Sequence, residues 1–158
     1  MAEQKLFDKA VEYATKKHEG QTRKDGVTPY IGHPLKVAAI LKEAGYGINY
    51  QIAGVLHDTL EDTDATEEEI RAFGEDVYEA VSLVTRLEGM DELDYVAKIL
   101  ENPMAKAVKN ADKIHNMMDL QNCGNPEWAK YYANKVKHYY GGKFSKELDD
   151  AIERVFMI

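Results

Sequence analysis

The chain has 158 residues, 44% of them hydrophobic and 30% charged, with a formal net charge of −8. That length suits one domain with one good core, and the acidic balance is the reverse of what holds long nucleic acid through its phosphates, although a metal and a few local cations can still bind a small phosphorylated ligand. No apolar run reaches the roughly 18–20 residues needed to span a bilayer, and a single cysteine, Cys123, excludes an internal disulfide; a cytoplasmic protein without membrane association is expected.

In chain order the pattern is helical almost throughout. The start, MAEQKLFDKAVEY, is polar and amphipathic and does not read as a signal peptide. Leu6, Ala10, Val11, Ala14 and His18 recur at helical spacing, which predicts a first helix over 3–18. Gly20 to Gly32 is a loop punctuated by Gly26 and Pro29. Pro34 suits the first turn of a second helix ending near Gly45. A third is predicted from Ile48 to Thr59. Thr66 and Glu69 have the spacing of a capping box and open a short helix that ends near Gly74. Further helices are predicted over 75–87, 91–101, 103–120, 126–139 and 144–157, with Pro103 and Pro126 at two of the starts. No strand-like alternation persists. The expected fold class is all-α, in one domain over 1–158.

The densest chemistry lies in GVLHDTLEDT, where His57-Asp58 and Glu61-Asp62 follow the apolar stretch Ile52–Leu56. Four ionisable groups at one helix end are costly to bury without a compensating ion. His33 in YIGHPL and Asp112 in KNADKIHNM add one more imidazole and one more carboxylate. Two His and two Asp suit Mn, Fe, Co, Ni or Zn better than Ca or Mg, and leave positions open for water and substrate. Each element alone has a plainer reading. His33 can be satisfied at a helix start, Asp112 can pair with Lys109 or Lys113, and Glu61, Asp62 and Asp64 can form a solvated loop. Their co-occurrence beside apolar helix faces favours the metal. Glu61 and Asp62 are then left for proton chemistry. Arg23-Lys24, taken alone, is a solvated basic loop.

Three blocks in order, HEGQTRKDGVTPYIGHPLKVA (18–38), GVLHDTLEDT (54–63) and VKNADKIHNM (108–117), resemble the hydrolase domain of the RelA/SpoT family, a branch of the HD-domain phosphohydrolases. The resemblance spans about residues 1–120. It implies a helical HD fold with one Mn²⁺ held by His33, His57, Asp58 and Asp112, and catalysis by the Glu61-Asp62 pair. It implies a small stand-alone hydrolase that removes the 3′-pyrophosphate of ppGpp or pppGpp, giving GDP or GTP. Arg23 is expected to stack on the guanine and Lys24 to line the nucleotide pocket. Asn116, four residues after Asp112, is expected to hydrogen-bond ribose or phosphate. His18 is expected to support the loop, and His115 to be a packed or hydrogen-bonded histidine facing elsewhere.

Two positions depart from the family text. A small residue after the Arg-Lys pair is replaced by Asp25, and a threonine near the nucleotide by Asp119. Acids facing a polyphosphate oppose its binding. Either these side chains point away, or the substrate carries less charge than ppGpp, which keeps open an HD phosphohydrolase acting on another nucleotide, such as a nucleoside monophosphate or NADPH. A non-catalytic nucleotide-binding module is a third reading, opposed by the intact ligand set. Tyr131, Tyr132, Tyr139, Tyr140 and Trp128 are expected to pack against the domain's own core.

Overall fold

A computed structural model describes residues 2–158. Ten helices follow one another: α1 (Ala2–Lys17), α2 (Gly32–Glu43), α3 (Ile48–Leu56), α4 (Thr59–Asp62), α5 (Glu67–Arg71), α6 (Glu75–Val84), α7 (Glu92–Leu100), α8 (Pro103–Leu120), α9 (Pro126–Tyr140) and α10 (Lys146–Phe156). Among the described residues the only extended pairing is one antiparallel bridge, Thr22 to Pro29. The fold is all-α, and no described helix is long and apolar enough to cross a membrane.

The starts follow local chemistry. Thr66 and Glu69 form the reciprocal capping box. Asp91, Asn102, Asn125 and Ser145 each accept a backbone N–H two or three residues into their helix, which satisfies donors the helix cannot pair internally. Pro103 and Pro126 occupy first helical positions, where the missing N–H is no loss.

The core centres on α3, buried without interruption from Gln51 to Leu56. It packs against α1, α2, α6 and α8, which explains why its sequence lacks an amphipathic stripe. Gly54 sets the closest approach. A Cβ there would meet Leu41 Cδ1 at 2.8 Å, Val37 Cγ1 at 3.3 Å and Ala38 Cα at 3.4 Å, so a larger residue would force the α2 side chains to shift. Burial of Ile52 and Leu56 contributes about 2 kcal/mol each. One continuous buried set runs from Ala10 to Val155.

The main departure from the expected elements is the third helix. It stops at Leu56 and resumes as α4 at Thr59, instead of running through to Thr59. Side chains replace the continuing ladder: His57 Nδ1 donates to the Gly54 carbonyl at 2.7 Å, and Thr59 Oγ1 donates to that of Leu56 at 2.7 Å. With those carbonyls taken, the chain turns at Asp58, at φ −99° and ψ −3°, and His57 and Asp58 stand at a corner. The predicted loop after α1 is also more ordered than a plain loop. Arg23 N–H donates to Thr28 O at 2.8 Å and Tyr30 N–H to Gln21 O at 2.9 Å, making a small hairpin whose turn places Gly26 at φ +75°.

Candidate active site

The corner after α3, the start of α2 and the middle of α8 converge. His33, His57 and Asp58 offer ligand atoms that all lie within 4.8 Å of one another. Asp112 Oδ1 lies 2.7 Å from His33 Nε2 and 3.4 Å from His57 Nε2, and Asp58 Oδ2 lies 3.0 Å and 3.8 Å from the nitrogens of His57 and His33. Four side chains from three separated segments thus meet at one point. Asp112 is reached because the small residues Ala107 and Ala111 let α8 lie close to the core.

These residues fit a divalent cation. His57 Nδ1 donates to Gly54 O, so Nε2 is the nitrogen that can ligate an ion in exchange for its proton. It is buried, it has no hydrogen-bond partner, and two carboxylate oxygens crowd it. Burial lowers the His57 pKa, but Asp58 and Asp112 outweigh it and raise the value to about 10. The same attraction holds Asp58 at about 2 and Asp112 well below the carboxylate range, although burial pushes both upward. The point where these atoms meet demands positive charge. A metal ion coordinated by two imidazoles and two carboxylates answers that demand without an unpaired buried acceptor.

Three residues that sequence reasoning did not place at the centre support these groups. Tyr30 OH donates to Asp58 Oδ2 at 2.5 Å. Lys109 Nζ lies 3.4 Å from Asp112 Oδ2, so Asp112 turns its other oxygen to the histidines. Burial lowers the Lys109 pKa, but Asp112 outweighs it and raises the value. His115 Nδ1 lies 2.7 Å from His33 Nδ1, with the two rings near parallel at 19°. His115 therefore faces His33 and the His-Asp cluster, a correction to the expectation that it points elsewhere. Burial lowers its pKa to about 4, against the pull of Asp119. Spacing carried a signal for two of them. Lys109 and His115 flank Asp112 at three residues on either side, and so share its helix face.

The acid pair sits on α4 at the solvent edge. Glu61 Oε1 accepts the Arg86 backbone N–H at 2.6 Å, beyond the end of α6. Asp62 is open at the rim, yet partial desolvation, then Asp58 and Glu61, raise its pKa to about 6. The hairpin is tied to this edge. His18 Nδ1 meets Gln21 Oε1 at 2.8 Å, and Gln21 Nε2 donates to the Asp62 carbonyl at 2.9 Å. His18 supports the loop, as its position suggested.

On the hairpin, Arg23 Nη2 donates to Asn116 Oδ1 at 3.2 Å and to Asp119 Oδ2 at 2.7 Å. Its guanidinium lies 5.7 Å from the Tyr30 ring. Arg23 and Asn116 are therefore neighbours at the mouth of the centre. Lys24 Nζ lies 4.3 Å from the Trp128 ring and 5.2 Å from that of Tyr132, which are stacked at 7°. The two unexpected acids are both taken up by protein partners. Asp25 turns into its own hairpin and accepts the N–H groups of Val27 and Thr28 at 2.9 Å each and the Thr28 hydroxyl. Asp119 pairs with Arg23. Of the α9 aromatics, Tyr140 is buried and Tyr131 is 69% exposed, with Trp128 also partly open; Tyr131 packs against no core because it lies on the outer face of α9.

An all-helical fold that gathers two histidines and two aspartates at a helix corner defines the HD-domain class. The HD domain family model matches residues 10–141, and the chain belongs to that family. It is 38% identical over 144 residues to guanosine-3′,5′-bis(diphosphate) 3′-pyrophosphohydrolase MESH1 of Xenopus tropicalis, covering 85% of this chain and 79% of that protein. To the Homo sapiens protein of the same name it is 37% identical over 164 residues, covering 93% and 90%. A solved structure described as a metazoan ortholog of SpoT that hydrolyzes ppGpp and plays a role in starvation responses superposes with a TM-score of 0.74. That likeness has 30% identity and covers 96% of this chain and 94% of the other.

Proposed function

We propose that this chain is a metal-dependent hydrolase of guanosine polyphosphate alarmones, releasing pyrophosphate from the 3′ position of ppGpp or pppGpp and leaving GDP or GTP. The observation that carries the reading is the orphaned, buried His57 Nε2 facing the Asp58 and Asp112 carboxylates, in a chain whose relatives are named for this reaction. His33, His57, Asp58 and Asp112 would hold one divalent transition-metal ion, a choice the mixed imidazole and carboxylate set supports, and the resemblance to the RelA/SpoT hydrolase domain implies Mn²⁺. Such an ion supplies a water of lowered pKa and offsets phosphoryl charge. The working unit is one domain over 1–158, in keeping with the continuous core from Ala10 to Val155.

Water attacks the phosphorus bonded to the ribose 3′ oxygen. The bond between them breaks, and the 3′ oxygen leaves with a proton. Asp62, with a pKa near 6, suits an acid that gives that proton and is recharged near neutrality. Glu61, whose carboxylate accepts the Arg86 N–H, would then take a proton from the attacking water. Arg23 and Asn116 form the recognition edge for the nucleotide, and Lys24 borders the same hairpin. One observation favours a second reading. Asp119 already neutralises Arg23, which suits a nucleotide with less charge than ppGpp. Incubation of the Mn²⁺-loaded chain with ppGpp, NADPH and nucleoside monophosphates separates the two. Pyrophosphate release from ppGpp is expected. Orthophosphate release alone, or turnover of the other nucleotides only, sinks the alarmone reading.

A further inference from the structure

We infer that His115 is a positioning residue for the metal centre, orienting His33 as the Gly54 carbonyl orients His57, with Asp119 behind it as the link to Arg23 of the hairpin. The inference rests on the metal reading given above. A histidine that ligates through Nε2 must carry its proton on Nδ1, and that N–H needs an acceptor to fix the ring. For His57 the acceptor is backbone, Gly54 O at 2.7 Å. For His33 no carbonyl plays the part. The atom 2.7 Å from its Nδ1 is His115 Nδ1.

Tautomers then follow from one another. With His33 donating from Nδ1, His115 accepts on its own Nδ1 and keeps its proton on Nε2. That nitrogen faces Asp119 Oδ1 at 3.5 Å, while Asp119 Oδ2 takes Arg23 at 2.7 Å. A chain of contacts therefore runs from the proposed ion through His33, His115 and Asp119 to Arg23. It is built economically, since His115 lies three residues after Asp112 and α8 so delivers both a ligand and the orienter of another ligand. Asp119, an oddity when read against a polyphosphate, has a partner on each oxygen.

The test is metal affinity, measured by calorimetric titration of Mn²⁺ and by the absorption spectrum of the Co²⁺ form. The whole chain is first stripped of metal, and melting curves are recorded beside each titration. Replacing such an outer partner typically weakens metal binding by about 10–100-fold, and that is expected for His115→Phe. His115→Gln places an amide oxygen where His33 can donate, and should recover most of the loss. It also keeps the test valid if the Phe variant fails to fold. Asp119→Asn should weaken binding less, and its effect should vanish in the His115→Phe background because the two act in series. A His115→Phe chain that binds metal as tightly as wild type, or Gln and Phe variants weakened alike, overturns the inference and leaves the hydrolase reading intact. A wild-type chain that takes up no ion overturns both.

Discussion

The His-Asp corner and the hairpin that carries Arg23 lie side by side but are held by different means. At the corner, every proposed ligand comes from a helix or its end, His33 and His57 are each 2% exposed, and each carboxylate has a second partner, Tyr30 or Lys109. The hairpin is mostly exposed from Thr22 to Pro29. It hangs on a single bridge, the Gln21 contact to Asp62, and the Arg23 ion pair. Geometry that must be held to a fraction of an ångström is built where packing determines it. The hairpin, where we propose recognition, is a place where one side chain can change without disturbing the core.

The largest effect expected of that division is at the corner. Asp58→Ala should abolish metal uptake in a titration and lower turnover on the order of a thousandfold or more, since such an ion supplies several kcal/mol of charge stabilisation. Metal uptake by Asp58→Ala at wild-type affinity would break the comparison. Next in size are Glu61→Gln and Asp62→Asn, which should keep the metal and lose about 10²–10⁴-fold in kcat. Full activity in Glu61→Gln would remove it from the chemistry. Arg23→Ala should act on the other side of the division. It should raise KM roughly tenfold, the worth of one charge-assisted hydrogen bond, and leave Mn²⁺ affinity unchanged.

A smaller effect is read from pH. In the metal-free chain the folded state holds the His57 proton to about pH 10, above the ordinary value of about 6.5. Its contribution to stability is therefore full below about pH 6.5 and is lost as pH rises through about 10. Metal-loaded protein, with a neutral His57, should lack that loss. Melting temperatures of both forms across this range check it, and parallel curves would contradict the assigned site. Asp25→Ala should have the smallest effect, about twofold in KM, because its carboxylate serves the exposed hairpin and not the ligand. A large change in metal affinity on Asp25→Ala would show that hairpin and corner are not separable.

Much of this was legible in the residues. Amphipathic spacing and caps mark most helices, since those signals are local. Gly54 and the His57-Asp58 corner illustrate the limit. The apolar run up to Leu56 predicts a helix, but its break depends on two side chains reaching back to carbonyls, a competition of similar energies that spacing does not resolve. The candidate ligands His33, His57, Asp58 and Asp112 were readable as types able to bind metal, and Glu61 and Asp62 as acids in surplus. Their partners were not. Tyr30 reads as part of a loop motif, Lys109 as an ion-pairing lysine, and His115 as a packed histidine until the helices dock.

By itself, then, the sequence determined an all-helical acidic chain, the inventory of His and Asp available to an ion, and the loop that carries Arg23. Those follow from residue chemistry and near-neighbour periodicity. The tertiary structure decided which atoms face each other: that His57 turns a buried Nε2 to two carboxylates, that Lys109 turns Asp112 toward the histidines, that His115 backs His33, and that Asp25 and Asp119, though exposed, are held by contacts of their own. The physical reason is that these outcomes depend on side-chain direction across segments as far apart as 82 residues for His33 and His115 and 96 for Arg23 and Asp119, and only packing settles direction at that range.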